Sequence, residues 1–222
     1  LSLDKNEAEA FLKSGKSHKE SGKNELAIAD YTKAIELNPD YEEAYVSRGT
    51  IYGELGQNDL AIADLNRAIE LNPENGEAYF FRGNTYNNLR KLDLAVADYT
   101  KTIEIVPTDL GVYINRGNAY DDLGENKLAV ADYTKAIEIN PDEPSTYFNR
   151  GVIYNKLGEL ELAIADYTKL IEITQSFVSA YINRGVSYLQ LGDNQKAKED
   201  AIKASELGDN SFLNGMKQEG LI

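Results

Sequence analysis

Residues 110–143 read LGVYINRGNAYDDLGENKLAVADYTKAIEINPDE, and residues 144–177 read PSTYFNRGVIYNKLGELELAIADYTKLIEITQSF. Laid in register, they align Tyr113 with Tyr147, Arg116 with Arg150, Gly117 with Gly151, Tyr120 with Tyr154 and Tyr133 with Tyr167. The offset is 34 residues at every pair, and it continues in both directions. Tyr45, Tyr79 and Tyr181 extend the first register, and Tyr52, Tyr86 and Tyr188 the second. Tyr31 and Tyr99 extend the third, with Leu65 between them. Fourteen of the 15 tyrosines fall in these three registers, and only Tyr41 lies outside. A fixed period of this length is the signature of a repeat array, in which each unit buries its apolar face against its neighbours.

Setting the register on Pro39, Pro73, Pro107 and Pro141 divides the chain into 8–41, 42–75, 76–109, 110–143, 144–177 and 178–211. Residues 212–222 follow as a short cap, so 1–222 is expected to be a single array. Each repeat reads as two helices. In the first, Tyr79, Gly83 and Tyr86 stand at i, i+4 and i+7, one helical stripe. The glycine after Leu55, Leu123 and Leu157 suits a left-handed helix stop. In the second, Ala27, Tyr31, Ala34 and Ile35 recur at helical spacing, and Pro39 ends the run. No stretch alternates with period 2, so no strand is expected.

These residues resemble the tetratricopeptide repeat, whose pattern is W-x2-L-G-x2-Y, then A-x3-F, then P. Here the pattern is Tyr113-x2-Arg116-Gly117-x2-Tyr120, then Ala129-x3-Tyr133, then Pro141. The likeness covers 204 of 222 residues. Tyr for Trp and Arg for Leu are the departures, and they resemble a prokaryotic variant. The resemblance implies an all-α, right-handed superhelical solenoid of six helix-turn-helix repeats with degenerate ends. At those ends Phe11, Ser14 and His18 replace Tyr, Arg and Tyr in the first repeat. Ala201 and Asp209 replace Tyr and Pro in the sixth, and Gln175 stands at the proline position of the fifth.

Composition narrows the chemistry. The chain has no Cys, one His, 23 Lys plus Arg against 37 Asp plus Glu, and net charge −14. Thiolate metal sites and cysteine nucleophiles are excluded, and a His-rich metal cluster with them. An acidic chain is a poor nucleic-acid binder, because phosphate contacts need a basic face. There is no apolar run long enough to span a bilayer. Gly15-Lys16-Ser17 has Ala10 where a phosphate loop needs Gly, and it sits in a helical pattern. His18 reads as a substitution in an end repeat. Asp121-Asp122 and Glu42-Glu43 are adjacent, so their side chains diverge around the helix. No nucleophile, base or metal constellation is present, so no enzyme, no metal and no cofactor is expected. Cysteine-free composition fits the cytoplasm first and the periplasm second. The first residue is Leu1, and one expectation is that this is the repeat region of a longer protein.

Two recurrent features remain. Arg48, Arg82, Arg116, Arg150 and Arg184 precede the glycine, and Asp64, Asp98, Asp132, Asp166 and Asp200 recur in the second helix. Arg–Asp pairing inside the stack is expected over ligand clamping. The other feature is the face of the first helices, which in tetratricopeptide arrays lines the concave groove. It carries Asn84, Asn115, Asn118, Asn149 and Asn183, beside Phe80, Ile114, Phe148 and Ile182. Asparagine both donates and accepts, so a row of them suits the backbone of an extended peptide, and apolar neighbours suit anchoring side chains. The row is similar to the asparagine ladder in the superhelix of the O-linked N-acetylglucosamine transferase. Asn84–Asn115 and Asn118–Asn149 have the spacing that carboxylate-clamping chaperone adaptors use. Their basic partners are missing, with Phe80 and Ile114 where Lys would stand.

Glu43, Glu54, Glu77, Asp121 and Asp122 make the groove acidic in its first half, and Val152, Val186 and Leu189 make it apolar in its second. The expected function is therefore a protein-interaction adaptor binding a protein or peptide with basic and apolar parts. Self-assembly into a scaffold is the alternative.

Overall fold

The computed structural model describes residues 2–221, so Leu1 and Ile222, the ends of the expected array, lie outside it. Among the described residues there are thirteen α-helices and no strand. The repeats pair α1 (Ser2–Glu20) with α2 (Asn24–Leu37), α3 (Glu42–Glu54) with α4 (Asn58–Leu71), and α5 (Gly76–Asn88) with α6 (Leu92–Ile105). They continue as α7 (Leu110–Asp122) with α8 (Asn126–Ile139), α9 (Pro144–Leu157) with α10 (Leu160–Ile173), and α11 (Val178–Gln190) with α12 (Asn194–Glu206). A short α13 (Ser211–Gln218) follows. The helices group into two compact units, Leu1–Val112 and Tyr113–Ile222, and the division falls inside α7. In the first unit each helix packs on the next from α1 to α6, and in the second the same holds from α8 to α13.

The turn inside each repeat follows from one hydrogen bond. An amide two or three residues past the first helix reaches back to a carbonyl five residues earlier, as in Gln57 N–H to Tyr52 O at 2.8 Å and Glu159 N–H to Tyr154 O at 2.9 Å. That closure needs a left-handed residue in between. Gly56 and Gly158 supply it with φ of 72° and 77°. Arg90 holds the same conformation with φ of 57°, the one non-glycine to do so among the described residues.

Four second helices end two residues before a proline, and Asn38 between takes the extended conformation that a following Pro39 favours. Thr174, followed by Gln175, adopts nearly the same angles, −136° and 89° against −138° and 90°. Proline is thus compatible with this turn and not required for it.

The core is built from small residues facing rings. Ala27, Ala61, Ala95, Ala129, Ala163 and Ala197 are all fully buried. A methyl group added to Gly83 would meet the Tyr99 ring at 2.9 Å, and one on Gly151 would meet Tyr167 at 2.8 Å. Only glycine lets the second-helix ring lie flat on the first helix. In the sixth repeat Ala201 has no ring to offer, and Phe212 of α13 takes its place against Gly185. Met216 is buried beside it, and Phe212 and Leu213 are half-buried against Ala197 and Ala201.

Candidate functional site

The periodic arginines are held on every side. Arg48, Arg82, Arg116, Arg150 and Arg184 each donate two hydrogen bonds, from Nε and Nη2, to both carboxylate oxygens of the Asp 16 residues on, at 2.7–2.9 Å. The Nη1 of four of them also reaches back into the preceding repeat's second helix. Arg48 donates to Thr32 and Arg82 to Asn66 in the first unit; Arg150 donates to Thr134 and Arg184 to Thr168 in the second. Two tyrosines of the same helix face the guanidinium of Arg48, Arg82, Arg116 and Arg150, as in Tyr147 at 6.0 Å and Tyr154 at 5.7 Å from Arg150, while Arg184 faces Tyr181 at 5.8 Å and the Tyr188 ring is met by Lys196. A desolvated guanidinium gains both from the bidentate carboxylate and from the ring faces.

At Arg82 and Arg184 the hydrogen bonds they donate to Asp98 and Asp200 raise the pKa against the opposing effect of burial. Burial raises the Asp166 carboxyl, and the Arg150 hydrogen bonds oppose that without reversing it. The Tyr-x2-Arg-Gly-x2-Tyr departure from the family pattern is therefore one packing device: tyrosines at i−3 and i+4 enclose the arginine at i. These arginines are occupied structurally and leave no open clamp.

His18 differs. Ser14 stands where the first repeat would carry arginine, and the Nδ1 of His18 meets Asp30 at 2.8 Å. The pair is about a third exposed on the histidine side. It stands in the first repeat where the others carry the Arg–Asp pair.

The expected binding residues separate between the two units. In the first, Asn84 on α5 accepts the Tyr99 hydroxyl at 2.8 Å, and Phe80 stacks on Tyr99 and Phe81 at 6.2 and 5.5 Å. Asn84 also lines an open cleft of about 450 Å³ with Thr50, Glu54, Phe81 and Asn88. This is the first-helix stripe that the sequence marks as the groove.

In the second unit Asn118, on α7, is exposed and accepts the Tyr133 hydroxyl at 2.7 Å. It also accepts the Asn149 amide at 3.2 Å across successive first helices. Ile114 and Asn115 are half-buried on α7, and Asn183 is half-buried on α11. Phe148 stacks on Tyr167 at 6.2 Å and Phe177 at 5.2 Å, so it serves packing as Phe80 does. Ile182 lines an apolar cleft of about 680 Å³ with Val186, Leu189, Phe212 and Met216.

Asn155 is a member that sequence reading passes over. It donates to the Tyr167 hydroxyl at 3.1 Å and accepts from buried Ser187 at 2.8 Å. Its signal was its place on the groove stripe, hidden because the same position in other repeats varies between Gly53, Asn87, Asp121 and Leu189.

The acidity of the groove is smaller than the carboxylates alone suggest. Lys16 pairs with Glu43, Lys19 lies 3.6 Å from Glu54, and Lys156 lies 2.6 Å from Asp121. Two of these cations sit on α1, outside the three repeats whose charges made the groove look acidic. No helix among the described residues is long and apolar enough to cross a membrane. No group of three metal-ligating side chains occurs among them either.

With the helix pairs, the glycine–ring contacts and the repeated turns in place, comparison with known proteins becomes decisive. The family description "TPR repeat" matches residues 15–56, 49–89, 117–158 and 151–192, and "Tetratricopeptide repeat" matches 76–109 and 178–207. The chain belongs to the tetratricopeptide-repeat family. Its repeats are those of protein-interaction adaptors, a family of generally non-enzymatic modules.

Solved tetratricopeptide-repeat structures are similar in fold. YrrB, described as a TPR protein with an unusual peptide-binding site, aligns with a TM-score of 0.76 at 24% identity, over 84% of this chain and 97% of that one. MamA aligns at 0.69 and 27% identity, over 72% and 93%. PilF of Pseudomonas aeruginosa aligns at 0.78 and 15% identity, over 97% and 99%. A search of curated proteins finds no match.

Proposed function

We propose that this tetratricopeptide-repeat chain is a non-enzymatic adaptor that holds a protein or peptide segment on the groove face of its first helices. Asn115, Asn149 and Asn183 would bond the segment's backbone, with Asn84 and Asn118 beside them. Phe80, Ile114, Phe148 and Ile182 would contact its apolar side chains. The observation that carries this reading is Asn118. It is exposed, and its carbonyl already gathers the Tyr133 hydroxyl and the Asn149 amide at one point of the face. A side-chain amide whose carbonyl is fixed in this way offers its two N–H donors at low entropic cost, which is what backbone recognition needs.

The test is Asn115→Ala, Asn149→Ala and Asn183→Ala together. Affinity for a partner recovered on the wild-type chain should fall more than about tenfold, with helicity unchanged. Equal affinity would remove the reading. The expectation of one array over residues 1–222 is kept here as a proposal, supported by a period that runs through Val112 unbroken. A single heat-unfolding transition is its expected outcome.

A further inference from the structure

A second leucine pattern runs along the other edge of the repeats and feeds no core. Leu26, Leu60, Leu94, Leu128 and Leu162 recur every 34 residues, one residue before the buried alanine, and each is 46–50% exposed. Isolated exposed leucines need no explanation, but apolar side chains gathered into one cleft do. In the second unit Leu162 meets other apolar side chains. Leu157 and Leu162 of the fifth repeat and Val130 of the fourth line one open cleft of about 570 Å³, together with Tyr154, Lys127 and Glu159. The corresponding cleft between the second and third repeats is lined by Gly56, Gln57, Asn58 and Asp59, with only Leu60 and Leu89 as large apolar residues. The two clefts therefore differ in lining, and the apolar one lies between the fourth and fifth repeats.

The charges around this cleft choose its occupant. Glu125 precedes α8, Glu159 precedes α10, and Glu161 lies in the first turn of α10. All three are exposed, and none forms an ion pair with another described residue. Lys127 is the one cation lining the cleft. A second copy of the chain would set these carboxylates against like charges in a protein of net charge −14, and an anionic lipid surface would do the same. A segment carrying Lys or Arg beside its apolar side chains meets no such repulsion.

We propose that the turn edge of the fourth and fifth repeats docks a basic amphipathic helix of a partner protein. Its apolar side chains enter between Leu157, Leu162 and Val130, and its cations face Glu125, Glu159 and Glu161. This site is separate from the asparagine face and does not depend on it.

The experiment uses the full chain and a fluorescent synthetic amphipathic peptide made of leucine and lysine. The wild type should bind it with an affinity that weakens as salt is added. The double variant Leu157→Ser/Leu162→Ser should bind about tenfold more weakly, in the range expected for removing apolar anchors from an interface. Both leucines are exposed, so circular dichroism should be unchanged. Glu159→Lys/Glu161→Lys, which alters no apolar contact, should weaken binding by a similar factor. Asn118→Ala/Asn149→Ala should leave it intact.

Unchanged affinity in both edge variants would overturn the proposal. So would equal binding of a leucine–glutamate peptide. A wild-type dimer in sedimentation that dissociates in Leu157→Ser/Leu162→Ser would overturn it in favour of a second copy.

Discussion

The first repeat and the fifth carry the same fold on different electrostatics. In the fifth, Arg150 sits between Tyr147 and Tyr154, grips Asp166 with two hydrogen bonds and sends a third to Thr134 of the repeat before it. In the first, Ser14 stands at the arginine position, with Phe11 and His18 where the two tyrosines would be. The chain carries His18 against Asp30 instead, a smaller pair that needs no neighbour. The difference teaches that the arginine is an interface residue between repeats and not only a helix-pair fastener within one.

The sixth repeat makes the complementary point. It keeps Arg184 and Asp200, whose contacts look back to Thr168, and it gives up the second-helix tyrosine, whose place is filled by Phe212.

Breaking this contrast should have its largest effect at the arginine. Arg150→Ala strands a buried carboxylate and is expected to cost about 3–5 kcal/mol, whereas His18→Ala, at a partly exposed pair, should cost less than about 1 kcal/mol. Urea titration of both variants measures the gap, and equal losses would show that the first repeat is held as firmly as the fifth.

A smaller effect is expected at the glycines. Gly151→Ala drives a methyl into the Tyr167 ring, which is locked inside its own repeat, and overpacking of this kind costs about 1–3 kcal/mol. At Gly185→Ala the obstructing ring belongs to the short α13, which can move away as a piece. Its loss should be lower and should appear as faster amide exchange confined to residues 211–218.

The smallest effect compares turns. Arg90→Gly relieves the strained left-handed residue of the third repeat but loosens the unfolded chain, leaving a net gain of about 1 kcal/mol or less. Gly56→Arg, the reverse change in the second repeat, should lose a similar amount. A loss in the first and a gain in the second would contradict the assignment of strain.

Much of this was legible from the chain because a repeat prints each contact several times. The Arg–Asp pair was readable from two registers held through five repeats. The sandwiching of the arginine was not, since Tyr and Arg at i−3, i and i+4 say only that the three share a helix face. The threonines that receive Nη1 also recur, at Thr32, Thr134 and Thr168, yet Asn66 interrupts the register and nothing in the residue type points across to the next repeat.

The candidate site was legible in part. The hydrogen bond between Asn118 and Asn149 was not legible from their spacing, and Phe80 and Phe148 pack at a tilt against buried tyrosines. The groove looked more acidic than it is, because Lys16 and Lys19 reach in from α1.

By itself the sequence determined the helix pairs and the family, because period, glycine and proline act locally and repeat. Only the tertiary structure decided which ring fills the gap above Gly185. It also decided which carboxylates are already paired and which exposed leucines gather into one cleft. Those outcomes depend on side chains brought together from different repeats, and a one-dimensional period does not encode the direction in which a side chain leaves its helix.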